Sequence, residues 1–131
     1  MKAYEVFKIK GNKLELSEQC MRVLEVSDGS ILLMELDRNE KEIIISSIGE
    51  PDSKIIEMKA IMDNNPVANA KIDLVLGGED ITIIYGEGQS TKGAYYSVKL
   101  LDLKNAKISE SELSNKLKDT GVIRELELIE L

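Results

Sequence analysis

The stretch Asp63-Asn64-Asn65-Pro66-Val67-Ala68-Asn69-Ala70-Lys71-Ile72 decides how this chain folds. The side-chain oxygen of Asn65 can accept from a free N–H of a first helical turn, and Pro66 suits the first helical position, where no N–H is needed. A helix therefore starts here. Ala68, Ile72, Val75 and Leu76 fall at i, i+4, i+7 and i+8 and make one apolar stripe, and Gly77 is expected to end the helix in the left-handed conformation. Upstream, Lys54 to Ile61 alternates polar and apolar as a half-buried strand does. Downstream, Ile81 to Tyr85 and Ala94 to Leu103 are rich in β-branched and aromatic residues and favour two more strands. Ser109-Glu110-Ser111-Glu112 is a capping box flanked by Ile108 and Leu113, a potential hydrophobic staple, and Gly121 is the stop before a fourth strand, Val122 to Leu128.

The order over residues 54–131 is βαββαβ, which is ferredoxin-like. Met62 to Ile72, continuing to Gly78-Glu79-Asp80-Ile81, resembles the first loop, first helix and second strand of ACT domains, regulatory modules that commonly bind amino acids. The resemblance covers about three fifths of the chain. It implies that Asp63, Asn64, Asn65, Val67 and Ala68 lie beside a bound amino acid, at a surface that faces a neighbouring chain. A helix N-terminus at Pro66 suits an α-carboxylate, and Asp63 could meet the ammonium. Val67 stands where such loops usually have glycine, so weak or altered amino-acid binding is expected.

Toward the N-terminus, Tyr4 to Lys10 alternates as a strand, Gly11-Asn12 supplies a turn, and Lys13-Leu14-Glu15-Leu16 resumes the alternation. Ser17 can cap a helix of about two turns in which Cys20, Met21 and Leu24 share a face. Asp28-Gly29 is a turn, Ile31 to Leu36 a strand, Asp37 to Glu40 a turn, and Glu42 to Ser46 a strand. This run resembles the AbrB/SpoVT family of small DNA-binding modules, built as intertwined dimers of swapped hairpins. Ser17 stands where that family usually has proline, and Glu25 where it has glycine after the helix. Lys8, Lys10 and Lys13 cluster around the Gly11-Asn12 turn and Arg22 begins the matching helix segment, so the resemblance implies that these four contact double-stranded DNA. Lys2 is a further basic residue of this module. Gly49-Glu50-Pro51-Asp52-Ser53 breaks the apolar periodicity and separates the two patterns.

Composition narrows the chemistry. The chain has 131 residues, 43% hydrophobic and 31% charged, as an ordinary soluble globular protein does. No apolar run approaches membrane-spanning length and the N-terminus lacks a signal-peptide core, so a cytoplasmic protein with no membrane partner is expected. Without histidine, neither a Ser-His-Asp nor a Cys-His arrangement can be assembled, and the lone Cys20, expected as a small buried hydrophobe, allows neither an intrachain disulfide nor an ordinary structural zinc site. No pair of carboxylates stands out for general acid–base work. Gly86 to Gly93 resembles a phosphate loop in composition but not in spacing, and is expected as a flexible loop between strands. Likewise, Gly77-Gly78-Glu79-Asp80 echoes part of a nucleotide-cyclase signature but reads as a helix stop and turn. The net charge of −7 disfavours broad nucleic-acid affinity while leaving room for a local basic face.

The expected fold class is α+β: an N-terminal swapped-hairpin β module (AbrB-like) over residues 1–48 and a C-terminal ferredoxin-like βαββαβ domain (ACT-like) over 54–131. The expected function is that of a DNA-binding transcriptional regulator, at least a homodimer, whose ACT-like domain senses a small molecule, an amino acid by resemblance. No enzymatic role, catalytic residue, metal or cofactor is expected. The alternative is a non-DNA-binding oligomeric regulatory or interaction protein that acts on a partner enzyme.

Overall fold

The computed structural model describes residues 3–131, so Lys2 lies outside the described residues. The described residues are mixed α+β, with three helices and two antiparallel sheets. In chain order the elements are α1 (Glu18–Leu24), β1 (Ile31–Asp37), β2 (Glu42–Gly49), β3 (Ile55–Met62), α2 (Pro66–Gly78), β4 (Thr82–Ser90), β5 (Tyr95–Asp102), α3 (Glu110–Asp119) and β6 (Ile123–Glu130).

Residues 55 to 130 form a four-stranded sheet in the order β4-β5-β3-β6, every neighbouring pair antiparallel, with a βαββαβ succession of elements. Alternation along the strands puts one face of this sheet against α2 and α3. Ile56, Met58, Ala60 and Met62 of β3, Leu101 of β5, Ala68, Ile72 and Leu76 of α2, and Leu113 and Leu117 of α3 make the core. Asn65 caps α2, its Oδ1 accepting from the Ala68 N–H at 2.9 Å, and Pro66 takes the first helical position. Asn65→Ala is expected to destabilise the fold by about 1 kcal/mol, read from the denaturant midpoint. Ser109 and Glu112 form the capping box of α3, and Gly121 follows that helix with φ +75°.

Two expectations in this region are corrected. Gly77 does not stop α2, which runs on to Gly78. The left-handed residue is Asp80 (φ 55°): its N–H donates to the Gly77 carbonyl and that of Ile81 to the Leu76 carbonyl, the paired bonds that close a helix C-terminus. An aspartate tolerates this conformation better than most side chains, and Lys107 pairs with its carboxylate at 3.3 Å. Nor is Gly86 to Gly93 a loop, because β4 continues to Ser90 in register with β5 and only residues 91–94 form the turn. Hydrogen bonding to a neighbouring strand overrides the low strand propensity of Gly86 and Gly88.

Residues 3–54 are built differently. Ser17 caps α1 as expected, and Glu25 follows it with φ 55°, its N–H donating to the Arg22 carbonyl. This is the left-handed position that favours glycine, so Glu25→Gly is expected to stabilise the protein by about 1 kcal/mol, visible as a raised melting temperature. β1 and β2 pair as a hairpin, closed by Asp37 Oδ1 accepting from the N–H groups of Asn39 and Glu40 at 3.0 and 3.1 Å. The strands expected at 4–10 and 13–16 do not form. Lys10 and Lys13 make the single bridge of the Gly11-Asn12 turn, and the residues on either side find no partner strand among the described residues. Cys20 is partly exposed rather than buried, its thiol donating to Glu5 Oε2 at 3.5 Å.

No described residue before Ile55 is buried. Val6 is 88% exposed, Ile9 74% and Leu36 70%, and the hairpin carries Leu32, Met34, Leu36, Ile43 and Ile45 along one face. A two-stranded hairpin with a seven-residue helix and no core is marginal on its own.

Between the two patterns, β2 extends to Gly49, so the connection is residues 50–54. Asp52 there accepts from Lys104 Nζ at 2.9 Å, which holds its carboxyl below the usual aspartate range. Protonating Asp52 in acid removes that tie, and deprotonating Lys104, whose ammonium is held above its ordinary range by the same pair, removes it in strong base.

Candidate functional site

The structure brings together three of the four expected basic residues and three of the five expected residues around the start of α2. Gly11 leads the two-residue turn with φ 62°, and this tight reversal sets Lys10 and Lys13 side by side, the Lys13 N–H donating to the Lys10 carbonyl at 3.1 Å. Lys8, Lys10 and Lys13 line one open cleft together with Phe7, Leu14, Glu15 and Leu16. Arg22 is not among its lining residues. It is exposed in the last turn of α1. Among the described residues, none of these four cations makes an ion pair. A carboxylate sits nearby in sequence: Glu5 accepts from the Ser17 hydroxyl at 2.7 Å and so ties the N-terminal arm to the start of α1. Between that arm, α1 and β2 runs an unfilled apolar groove of about 290 Å³, lined by Tyr4, Phe7, Leu16, Val23, Leu24 and Ile45 among others.

At the start of α2, Asp63, Asn64 and Asn65 line a shallow cavity of about 200 Å³ with Asn69 and Tyr95. The polar groups of Asp63, Asn64 and Asn65 are already engaged. Asp63 Oδ1 accepts from Arg124 Nε at 3.1 Å, and the same guanidinium donates from Nη1 to the Gly93 carbonyl at 2.6 Å. Asn64 spans to the turn after β4, donating to the Thr91 carbonyl and accepting from the Ser90 hydroxyl, both at 2.8 Å. Asn65 is occupied as the helix cap. Val67 and Ala68 do not join them: Val67 is 61% exposed on the outer side of α2, and Ala68 is fully buried in the core. The helical periodicity explains the split, because consecutive positions are about 100° apart around the axis. The Val67 backbone is not left-handed, so its side chain occupies that position without backbone strain.

Arg124, Asn69, Tyr95 and Lys99 are the residues that sequence reasoning missed. Arg124, the second residue of β6, reaches Asp63 across sixty-one positions, a pairing with no local signal. Asn69 Oδ1 is buried without a hydrogen-bond partner. Lys99 did carry a signal, because it alternates with Leu101 and Leu103 and therefore faces the helices.

No known protein family matches the chain, and no curated protein is significantly similar to it. No helix among the described residues is long and apolar enough to cross a membrane.

Proposed function

We propose that this protein is a DNA-binding transcriptional regulator that works as an intertwined homodimer, with an AbrB-like module at residues 1–48 and an ACT-like, ferredoxin-like domain at residues 54–131. The observation that carries this reading is the gathering of Lys8, Lys10 and Lys13 around a tight turn, none of them in an ion pair with a described residue. Unpaired lysines on a protruding turn attract phosphate even in a chain of net charge −7, since counterion release depends on local contacts. The uncovered apolar hairpin face and groove support the dimer, because a second copy of the same arm and hairpin supplies complementary apolar surface and doubles the basic tips. In this reading the C-terminal domain senses a small molecule. Binding at Asp63, Asn64 and Asn65 requires a ligand to displace Arg124 and the Ser90–Thr91 contacts, which accords with weak or altered amino-acid recognition.

Selecting genomic fragments on the pure protein and sequencing them tests the DNA reading. A shared motif, bound with steep salt dependence, is expected. A failure to enrich any sequence at low salt favours the second reading, an oligomeric regulator of a partner enzyme. The feature that suits that reading is the open face of the four-stranded sheet, where Lys59, Ile61, Tyr96, Val98, Glu125 and Glu127 line a broad concavity.

A further inference from the structure

The face of β5 that looks toward the helices carries Tyr95, Ser97, Lys99 and Leu101, and Lys99 is a cation in that interior layer, only 9% exposed. Its Nζ makes one hydrogen bond to a described residue, to Ser97 Oγ at 3.1 Å, and no described carboxylate comes within ion-pair distance. An ammonium has three donors, and leaving two without a protein acceptor in a buried position is costly unless something else accepts from them.

The space beside Lys99 has a structural origin. Opposite Lys99 and Ser97, the edge strand β4 presents Gly86 and Gly88 toward the helices, so no side chain fills the layer there. The stem of Lys99 lies over Gly86, and the Tyr95 phenol lies so close over Gly88 that a Cβ there would overlap its oxygen. The result is an open cleft of about 290 Å³ between α2 and β4, lined by Asp73, Ile83, Gly86, Glu87, Gly88, Tyr95 and Lys99.

We propose that this cleft binds a small organic monocarboxylate. Lys99 neutralises the carboxylate, the Tyr95 hydroxyl supplies a further donor, and Ile83 with the two glycines accepts a short apolar tail. Asp73 on α2 carries an exposed negative charge in the lining and makes no ion pair with a described residue, so it disfavours dianions such as phosphate. The cleft shares Tyr95 with the cavity at the loop that starts α2 but contains none of Asp63, Asn64 and Asn65. Its occupancy requires neither DNA binding nor an amino-acid ligand at that loop.

The test is a titration of the full-length, isotope-labelled protein with sodium butyrate, and separately with sodium phosphate, at constant ionic strength, followed by amide NMR. Butyrate is expected to give saturable shifts at Gly86, Gly88 and Lys99, with phosphate at least tenfold weaker. Lys99→Met should abolish the butyrate shifts. Should that variant fail to fold, Asp73→Asn, a change on an exposed helix surface, is expected to tighten phosphate binding several-fold while keeping butyrate. Absence of saturable butyrate shifts in the wild type, their survival in a folded Lys99→Met protein, phosphate binding as tight as butyrate, or an unchanged phosphate affinity in Asp73→Asn would each overturn the proposal.

Discussion

Lys10→Glu is expected to abolish sequence-specific DNA binding at physiological salt while leaving the melting temperature of the protein unchanged. Lys10 stands at the turn itself, paired to Lys13 through the backbone only, and its side chain is exposed. The substitution therefore removes no packing, and it exchanges attraction for repulsion at the tip of each basic turn. If Lys8, Lys10, Lys13 and Arg22 of two copies all contact phosphate, the eight contacts set an upper bound of about −7 on the slope of log affinity against log salt. Arg22 lies outside the cleft that the three lysines share, so Arg22→Ala is expected to cost less affinity than Lys10→Ala. Fluorescence anisotropy on a selected duplex, across a salt series, reads both results. Undiminished binding by Lys10→Glu would remove the basic turn from the account.

The second large effect concerns stability. Leu101 is fully buried in β5, opposite Ile56 of β3, and belongs to the core with Ile72, Leu113 and Leu117. Leu101→Ala is expected to cost about 2–5 kcal/mol, the loss of transfer free energy together with the cavity left behind. That is a large share of the stability of an ordinary domain. Denaturant unfolding monitored by circular dichroism measures it, with the midpoint lowered and the slope preserved. A cost under about 1 kcal/mol would mean that the sheet does not pack against the helices in the way described.

Residues 54–131 carry their fold in local signals. Asn65-Pro66, the Ser109–Glu112 capping box and the alternation through Ile55 to Met62 each act within a few residues, and each element forms where its signal stands. What escaped local reading depends on neighbours. β4 extends through two glycines because β5 supplies hydrogen bonds, and α2 runs past Gly77 because Asp80 can take the left-handed turn three residues later. In the N-terminal region the alternating pattern of Tyr4 to Leu16 is a strand pattern without a strand, since among the described residues it pairs with nothing beyond the Lys10–Lys13 bridge. The expected sites divide along the same line. The three lysines gather because they flank one turn, whereas Asp63 meets Arg124, and Lys99 meets its cleft, only once strands distant in sequence are brought side by side.

The central claim is that the first 48 residues are completed by a second copy of the chain. Sedimentation velocity of the 131-residue chain at low micromolar concentration tests it most directly. The account predicts a boundary at twice the 14.6 kDa chain mass or more, with no monomer, and a loss of folded N-terminal signal only on dissociation. A single 14.6 kDa species whose N-terminal amides are dispersed and protected from exchange would contradict it.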